Sequence, residues 1–170
     1  MIAHREVSRV SRRQNTRVIA LLVVAVVLSL DQVSKQWALS ALQQSGTTVV
    51  LPGPVDLTLV FNRSNAFGLV PVSGELSRWG LAALNLAVAA GLAWVSVRRP
   101  MSRANAVGVA FIVAGAIGNA LDRIRFGAVI DFFNASKLGF VWVFNVADCS
   151  IDVGIGLLLL VALLARTKPT

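Results

Sequence analysis

Four long apolar runs constrain this chain more than any other feature of its sequence. A helix needs roughly 20 mostly apolar residues to cross a hydrocarbon core about 30 Å thick. The runs predict four such spans, at about residues 18–37, 79–97, 104–121 and 146–165. Of the 170 residues 56% are hydrophobic and only 14% charged, whereas an average soluble domain is about 25% charged. We therefore predict an all-α polytopic membrane protein.

The predicted spans leave little chain for anything else. Residues 1–170 are expected to form a single membrane domain, with outer loops at 38–78 and 122–145. Within the first loop, residues 49–61 surround a Pro-Gly-Pro turn and favour two short strands. Residues 139–145 carry aromatic side chains at alternate positions and favour another short β-like stretch. A small extracytoplasmic β-element should therefore accompany the four helices.

The basic residues predict the orientation in the membrane. The formal net charge is +8, and ten of the 16 Lys and Arg residues lie in three short segments outside the apolar runs. Positively charged flanks stay in the cytoplasm, so both termini are expected there. Binding of nucleic acid is not expected, because no aromatic residues interleave with the basic ones. The ten residues are Arg5, Arg9, Arg12, Arg13, Arg17, Arg98, Arg99, Arg103, Arg166 and Lys168.

Two residue counts exclude several kinds of catalytic site. Cys149 is the only cysteine and His4 the only histidine, and His4 lies in the basic N-terminal segment. An internal disulfide is therefore impossible, and a histidine triad or a histidine-bound zinc site is excluded. Cys149 is expected to be a small packing residue. Any chemistry must therefore use carboxylates, amides, hydroxyls, Lys or Arg.

Carboxylates gather at one predicted depth, near the outer ends of the spans. Ionisable groups within membrane segments are costly and indicate a functional site by default. The acids are Asp31, Asp122, Asp131, Asp148 and Asp152, accompanied by Lys35, Asn62, Asn119, Arg123 and Asn145. Two carboxylates about 3 Å apart cannot both ionise, so they share a proton and can activate water for amide hydrolysis. The four-residue spacing predicts a cleft lined by Asn119, Arg123 and Asp148, with Asp152 as a further candidate.

A purely structural role for these acids is the alternative. Asp31 and Lys35 stand one helical turn apart and can form an ion pair. Asp122 has Arg123 and Arg125 beside it as candidate partners. Membrane depth alone leaves both interpretations open.

Several strings of the sequence resemble the motif set of bacterial lipoprotein signal peptidases. They are G-A-I-G-N-A-L-D-R from residue 115, V-I-D-F from residue 129, F-N-V-A-D from residue 144 and D-Q-V-S-K from residue 31. The resemblance covers nearly the whole chain, including span number and loop lengths. One string departs from the family: Asn62-Arg-Ser-Asn-Ala-Phe67 stands where Asn-x-Gly-Ala-Ala-Phe is expected, so bulkier polar residues replace the Gly and the first Ala.

The resemblance implies a function and a role for each site residue. Asp131 and Asp148 match the catalytic aspartates; Asn119, Arg123 and Asn145 match residues that orient this dyad and bind substrate. Asp31, Lys35, Asn62 and Asp122 match supporting positions. The family resides in the bacterial inner membrane and removes the signal peptide of a prolipoprotein just before a diacylglyceryl-modified cysteine, near the outer face. Prolipoproteins and membrane lipids are thus the implied partners, the resemblance implies no metal or organic cofactor, and we expect a monomer.

Three other functions stay open at this point. An ion-coupled transporter would use the same acids, but it predicts polar residues at mid-membrane, whereas the inner 13 residues of the first and fourth spans are uncharged. A non-catalytic lipoprotein-binding protein is compatible with the altered 62–67 string. An intramembrane peptidase of another substrate class would share the aspartates but not the flanking strings.

Overall fold

Four membrane-length helices dominate the fold. The computed structural model describes residues 2–42, 48–63 and 74–166, with side chains of the first helix from residue 13 onward. In this part of the chain the helices are α1 Ile2–Ala41, α2 Glu75–Arg98, α3 Arg103–Phe126 and α4 Val146–Arg166. Each contains a stretch long and apolar enough to cross a membrane. The prediction of four transmembrane helices is confirmed.

Helix α1 is longer than one membrane crossing requires. Its 40 residues extend about 60 Å at about 1.5 Å per residue, twice the thickness of the hydrocarbon core. Its uncharged run, residues 18–30, is followed by the polar Asp31–Lys35 segment at one end and preceded by arginines at the other. The N-terminal part of α1 therefore projects beyond the apolar layer.

Helix α3 is the centre of the bundle and packs against α1, α2 and α4. Small residues allow this close approach. A Cβ atom at Gly115 would overlap the carbonyl oxygen of Ala147 in α4, and one at Gly118 would overlap the Asp31 carboxylate in α1. Two glycines of this helix therefore stand where no side chain fits.

The outer faces of the other helices are apolar. Leu21 of α1, Trp94 of α2 and Leu159 of α4 are all exposed large hydrophobic side chains. In water such surfaces would be unfavourable, whereas lipid tails are as apolar as the side chains themselves. The exposed faces are therefore those expected of a bundle surrounded by lipid.

A three-stranded antiparallel sheet lies at one end of the bundle, in the order β1 Asp56–Asn62, β2 Val129–Asn134 and β3 Val143–Phe144. Strand β1 pairs with β2 in a register that sets Val60 opposite Asp131. A short 3-10 helix, Ser136–Leu138, connects β2 to β3. The predicted small β-element is confirmed, and it brings the two predicted outer loops together.

The strand pairing differs from the hairpin expected around Pro-Gly-Pro. Only one bridge, Val49 to Leu57, crosses that turn, while β1 pairs along most of its length with β2, with a register shift between Leu57 and Val60. Proline has no N–H to extend a ladder, so Pro52 and Pro54 limit pairing across the turn. The expected stretch at 139–145 contributes the two-residue strand β3.

The sheet packs on the end of α1. Ala38, Leu42 and Phe132 form a buried apolar cluster, and the Trp37 ring meets the Phe132 ring edge-on at a centroid distance of 6.4 Å. This contact holds β2, and with it Asp131, against the helix bundle.

Candidate active site

Acidic side chains form two groups at the sheet end of the bundle. The first, here the lysine cluster, consists of Asp31, Lys35 and Asp122. The second, here the aspartate pair, consists of Asp131 and Asp148. Asp31, Lys35, Asp122 and Asp131 are buried, while Asp148 is partly exposed.

The lysine cluster joins α1 to α3 through one shared ammonium group. Lys35 Nζ lies 2.9 Å from Asp31 Oδ2 and 2.8 Å from Asp122 Oδ2. The Asp31–Lys35 pair expected from their spacing is thus present. Asp122, for which Arg123 or Arg125 was suggested as a partner, forms its salt bridge with Lys35 across the helix interface, and Arg123 interacts with it electrostatically as well. Arg125 Nη1 instead donates to Gln32 Oε1 at 3.2 Å.

Both carboxylates of the lysine cluster also accept backbone hydrogen bonds. Asp31 Oδ1 accepts from the Ala147 N–H at 2.9 Å, in the first turn of α4, where a negative charge is favoured by the helix dipole. Asp122 Oδ2 accepts from the Ile130 N–H at 3.1 Å, in β2. The cluster therefore positions the two segments that carry the aspartate pair.

Asp131 is delivered by strand β2 and held by two amide side chains. Asn145 Nδ2 donates to Asp131 Oδ1 at 2.6 Å, and Asn62 Nδ2 donates to Asp131 Oδ2 at 2.9 Å. Asn62 ends β1 and Asn145 directly precedes α4. Three separate elements thus converge on this one carboxyl group.

Asp148 is held in the first turn of α4 by a reciprocal pair of hydrogen bonds with Asn145. The Asp148 N–H donates to Asn145 Oδ1 at 3.0 Å, and the Asn145 N–H donates to Asp148 Oδ2 at 3.3 Å. This is the arrangement of a capping box, in which a cap residue and the third helical residue satisfy each other's backbone. The Asn-x-x-Asp string 145–148 encodes it locally.

Asn119 connects the two groups. Its Nδ2 donates to Asp148 Oδ1 at 2.8 Å, while its Oδ1 accepts from Lys35 Nζ at 3.1 Å and from Asn145 Nδ2 at 3.3 Å. Because Lys35 bonds the amide oxygen, the amide nitrogen must point at Asp148. The hydrogen bond from Lys35 therefore fixes the orientation of the Asn119 amide, with its NH₂ group towards Asp148.

The pair has an electrostatic environment suited to holding one proton. Burial raises the pKa of Asp131 to about 7, and the negative charge of Asp148 contributes to the rise. Hydrogen bonds from Asn62 and Asn145, and the positive charge of Lys35, oppose it. A carboxyl group with such a pKa can donate a proton at neutral pH.

Arg123 is the nearby cation on α3. Its side chain is buried and interacts electrostatically with Asp148, Asp131 and Asp122. The end of α3 that carries it is fixed by Arg78, whose Nε donates to the Arg123 carbonyl at 2.9 Å. Gly127 ends the helix at φ 72°, a left-handed conformation that glycine adopts without a steric cost.

The structure brings together nine of the residues singled out in the sequence and leaves others apart. The nine are Asp31, Lys35, Asn62, Asn119, Asp122, Arg123, Asp131, Asn145 and Asp148. Asp152, a candidate for the cleft, is exposed on α4, because it lies one turn beyond Asp148 on an outward face. Cys149 is exposed rather than packed in the core. Residues 64–67 of the altered string lie outside the described residues.

Sequence reasoning missed two contributors. Gln32 Nε2 donates to Asp31 Oδ2 at 3.1 Å and to Asp122 Oδ1 at 3.2 Å. Arg78, from α2, also donates to the Ile124 carbonyl at 2.6 Å. Gln32 stands inside the D-Q-V-S-K string and could have been found there, whereas nothing local to Arg78 indicates its distant partners.

Among the described residues no group of three or more His, Cys, Asp or Glu side chains is placed to hold a metal.

Solved structures share this fold. A bacterial membrane enzyme determined by the in meso method at 2.3 Å resolution superposes with a TM-score of 0.75, at 24% identity, over 89% of this chain and 93% of that one. A second bacterial membrane enzyme, determined at 1.9 Å resolution, superposes with a TM-score of 0.72 at 25% identity, over 89% of this chain and 94% of the other.

Sequence relatives agree with one another. The lipoprotein signal peptidase of Caulobacter vibrioides is 45% identical over 152 residues, covering 87% of this chain and 88% of the relative. That of Methylorubrum extorquens is 42% identical over 147 residues, covering 82% of each. The family model described as signal peptidase (SPase) II matches residues 23–164. This chain belongs to the signal peptidase II family, the family of the lipoprotein signal peptidases.

Proposed function

We propose that the protein is an aspartic endopeptidase that removes the signal peptide from diacylglyceryl-modified prolipoproteins, cutting just before the lipidated cysteine. One observation carries the aspartic mechanism: Asn145 donates to both carboxyl groups, from its side-chain Nδ2 to Asp131 Oδ1 at 2.6 Å and from its backbone N–H to Asp148 Oδ2 at 3.3 Å. A single residue thus holds two carboxyl groups in fixed relation. Two acids so held, with one proton between them, suffice for amide hydrolysis.

The first chemical step assigns a role to each carboxyl group. Asp131, more buried and with a pKa of about 7, holds the proton, while the partly exposed Asp148 is ionised. Asp148 takes a proton from a water molecule as the water oxygen bonds to the scissile carbonyl carbon. Asp131 donates its proton to the carbonyl oxygen, and a neutral tetrahedral diol forms.

The second step restores the pair. Asp131 takes back a hydroxyl proton as the carbonyl re-forms, and the C–N bond breaks. Asp148 gives the proton that it took from water to the leaving amine. The products are the carboxyl end of the signal peptide and the amino group of the modified cysteine, and both aspartates return to their starting states.

The surrounding amides and Arg123 position the reactants. Asn62, Asn119 and Asn145 leave each carboxylate only limited rotation, because each of the four oxygens already accepts a hydrogen bond from one of them. Arg123 lies on the α3 face one turn from Asn119, and its guanidinium can donate to a substrate carbonyl. The lysine cluster supports both by holding α4 and β2 in place.

The location of the pair suits a lipid-bearing substrate. It lies at the end of the apolar helices, where a diacylglyceryl group can enter sideways from the bilayer while the peptide stays at the interface. Each buried CH₂ contributes about 0.8 kcal/mol, so the lipid should provide much of the recognition. We infer a multi-pass inner-membrane protein, with both termini cytoplasmic and the pair near the outer face, acting as a monomer.

The test is cleavage of matched substrates by the purified protein in liposomes. A diacylglyceryl-modified prolipoprotein should be cut, with the modified cysteine as the new N-terminus by mass spectrometry, and the unmodified precursor should be cut poorly. Equal cleavage of the modified and unmodified precursors would show that the lipid does not contribute to substrate specificity. Binding of the modified precursor without any cleavage would favour a lipoprotein-binding protein.

Orientation can be tested separately, by labelling single cysteines in a Cys149→Ser background. Cysteines introduced at Ser11 and Ser102 should be protected from an impermeant reagent in intact cells and labelled after lysis. Ser136→Cys, in the exposed connection between β2 and β3, is the matched outer position and should label in intact cells. Labelling of the first two positions from outside would contradict the proposed topology.

A further inference from the structure

The end of the bundle opposite the aspartate pair carries a basic cavity. It lies between α1 and the short connection from α2 to α3, has a volume of about 60 Å³ and is partly open to the surroundings. Its lining includes Arg13 and Arg17 of α1, Arg98 and Arg99 from the end of α2, and the small residues Ala20 and Ala106. Two chain segments that are far apart in sequence thus direct four arginines to one space.

The four arginines can be checked for acidic partners among the residues whose side chains the structure describes. Within residues 13–42, 48–63 and 74–166, none of the four forms an ion pair with an acidic side chain. Arg17 Nη2 instead donates to the Val97 carbonyl at 3.0 Å, which ties α1 to the end of α2. Arg98 lies over the Trp94 ring, 5.8 Å from its centroid. The cavity therefore carries positive charge, and contacts within the protein fix the positions of Arg17 and Arg98.

The depth of the cavity matches the headgroup layer of a membrane. Arg17 directly precedes the uncharged run of α1 at residues 18–30, and Arg98 directly follows the apolar part of α2. On the α3 side the cavity is lined by the buried residue Ala106. Below the arginines, the exposed side chains of Leu21 and Trp94 present an apolar surface. A ligand suited to this place has an anionic head and apolar tails.

We propose that this cavity binds the phosphate headgroup of an anionic glycerophospholipid from the leaflet at that end of the bundle. The phosphate oxygens accept hydrogen bonds from the guanidinium groups, whose planar donors match phosphate geometry. The acyl chains lie along the apolar faces of α1 and α2. Basic pockets between transmembrane helices are suited to such headgroups, and the bound lipid would join α1 to the α2–α3 connection.

The site is separate from the aspartate pair, so it can be tested whether or not the protein is a peptidase. The purified full-length protein in a neutral detergent is titrated with phosphatidylglycerol or with phosphatidylcholine. Native mass spectrometry counts the bound lipid, and the thermal unfolding midpoint reports its effect. We expect phosphatidylglycerol to bind and to raise the midpoint, phosphatidylcholine to do neither, and an Asp148→Asn variant to behave as the wild type does.

Two variants and one matched control identify the residues. Arg13→Gln/Arg17→Gln should bind phosphatidylglycerol about tenfold more weakly, since each basic residue contributes to attraction of anionic lipid. If that variant fails to fold, Arg98→Gln/Arg99→Gln tests the same cavity from the other helix. The control is Arg166→Gln, which removes an exposed arginine from the last turn of α4, outside the cavity. This variant should bind phosphatidylglycerol as the wild type does.

Three results would overturn the proposal. One is unchanged phosphatidylglycerol binding in the folded cavity variant. Another is an equal loss in Arg166→Gln, which would indicate general surface charge. The third is displacement of the lipid by millimolar glycerol phosphate, which would indicate a site for free anions instead of a lipid.

Discussion

The lysine cluster and the aspartate pair lie at the same end of the bundle but hold their carboxylates in different ways. In the lysine cluster, one ammonium group lies 2.9 Å and 2.8 Å from two carboxylates. In the aspartate pair, amide N–H groups from Asn62, Asn119 and Asn145 make the short contacts. The lysine cluster places a positive charge between two carboxylates, whereas the aspartate pair has neutral amide donors, and burial raises the pKa of Asp131 so that it can keep its proton.

This difference indicates what each group contributes. Carboxylates neutralised by Lys35 fasten α1 to α3 and accept N–H groups from α4 and β2, which is a structural task. Carboxyl groups held by neutral amides in a buried place retain proton-transfer chemistry. Asn119 is shared by both, so the structural group orients the reactive one.

The largest expected effect separates the two groups by activity. Asp131→Asn or Asp148→Asn removes a proton-transfer group and should lower turnover of the modified prolipoprotein by roughly 10⁴-fold, with the thermal midpoint nearly unchanged. At position 131 the Asn62 amide must turn over, because one acceptor oxygen becomes an NH₂ group. Cleavage rates in liposomes measure the effect. Near-normal turnover in either variant would contradict the assignment of proton transfer to the aspartate pair.

The second effect concerns stability. Lys35→Met leaves Asp31 and Asp122 buried without their shared cation, and breaking a buried ion pair in this way costs about 3–5 kcal/mol. The matched control is Lys137→Met, which breaks the 2.6 Å ion pair with Asp56 at a partly exposed lysine and should cost below about 1 kcal/mol. The two variants are compared by their free energies of unfolding in mixed micelles. Equal losses would show that burial does not distinguish the cluster.

The third effect is a pH dependence that belongs to Asp131. Because its pKa is raised from 3.8 to about 7, the folded protein binds this proton more tightly than the unfolded chain does. Its contribution to stability is therefore complete below about pH 4 and is lost as pH rises through about 7. The wild type should lose up to about 1.4 kcal/mol per pH unit in that window relative to Asp131→Asn. Turnover should also fall above pH 7, where the pair loses its shared proton. Parallel pH slopes for both proteins would contradict the assignment.

The smallest effects are expected at polar residues beside the pair but outside it. Asp152→Asn and Cys149→Ser alter exposed side chains on α4, so turnover should stay within about twofold of the wild type. Initial rates under subsaturating substrate measure this. A loss comparable to that of Asp148→Asn would extend the site along α4.

Much of this arrangement follows from local sequence patterns. The four apolar runs predict the helices, and the acids at their ends predict a common depth for the carboxylates. The spacing of Asp31 and Lys35 predicts their ion pair, and the order of Asn145 and Asp148 suits a helix cap. All of these depend on residues within one or two helical turns of each other.

The remainder depends on contacts between distant segments. Lys35 reaches Asp122 only because Gly118 lets α3 approach α1 closely. Strand β1 pairs with β2 in place of a hairpin partner, and this is what brings Asn62 to Asp131. Such contacts are selected by the packing of the whole bundle, so neither the true partner of Asp122 nor the role of Arg78 could be read from neighbouring residues.

The central claim is that Asp131 and Asp148 act as one catalytic unit, and the rate of the Asp131→Asn/Asp148→Asn double variant tests it most directly. Residues that act together are strongly non-additive. We predict that the double variant cleaves the modified prolipoprotein within a few-fold of the slower single variant. A double variant whose loss equals the product of the two single losses, or a single variant that retains near-wild-type turnover, would contradict the claim.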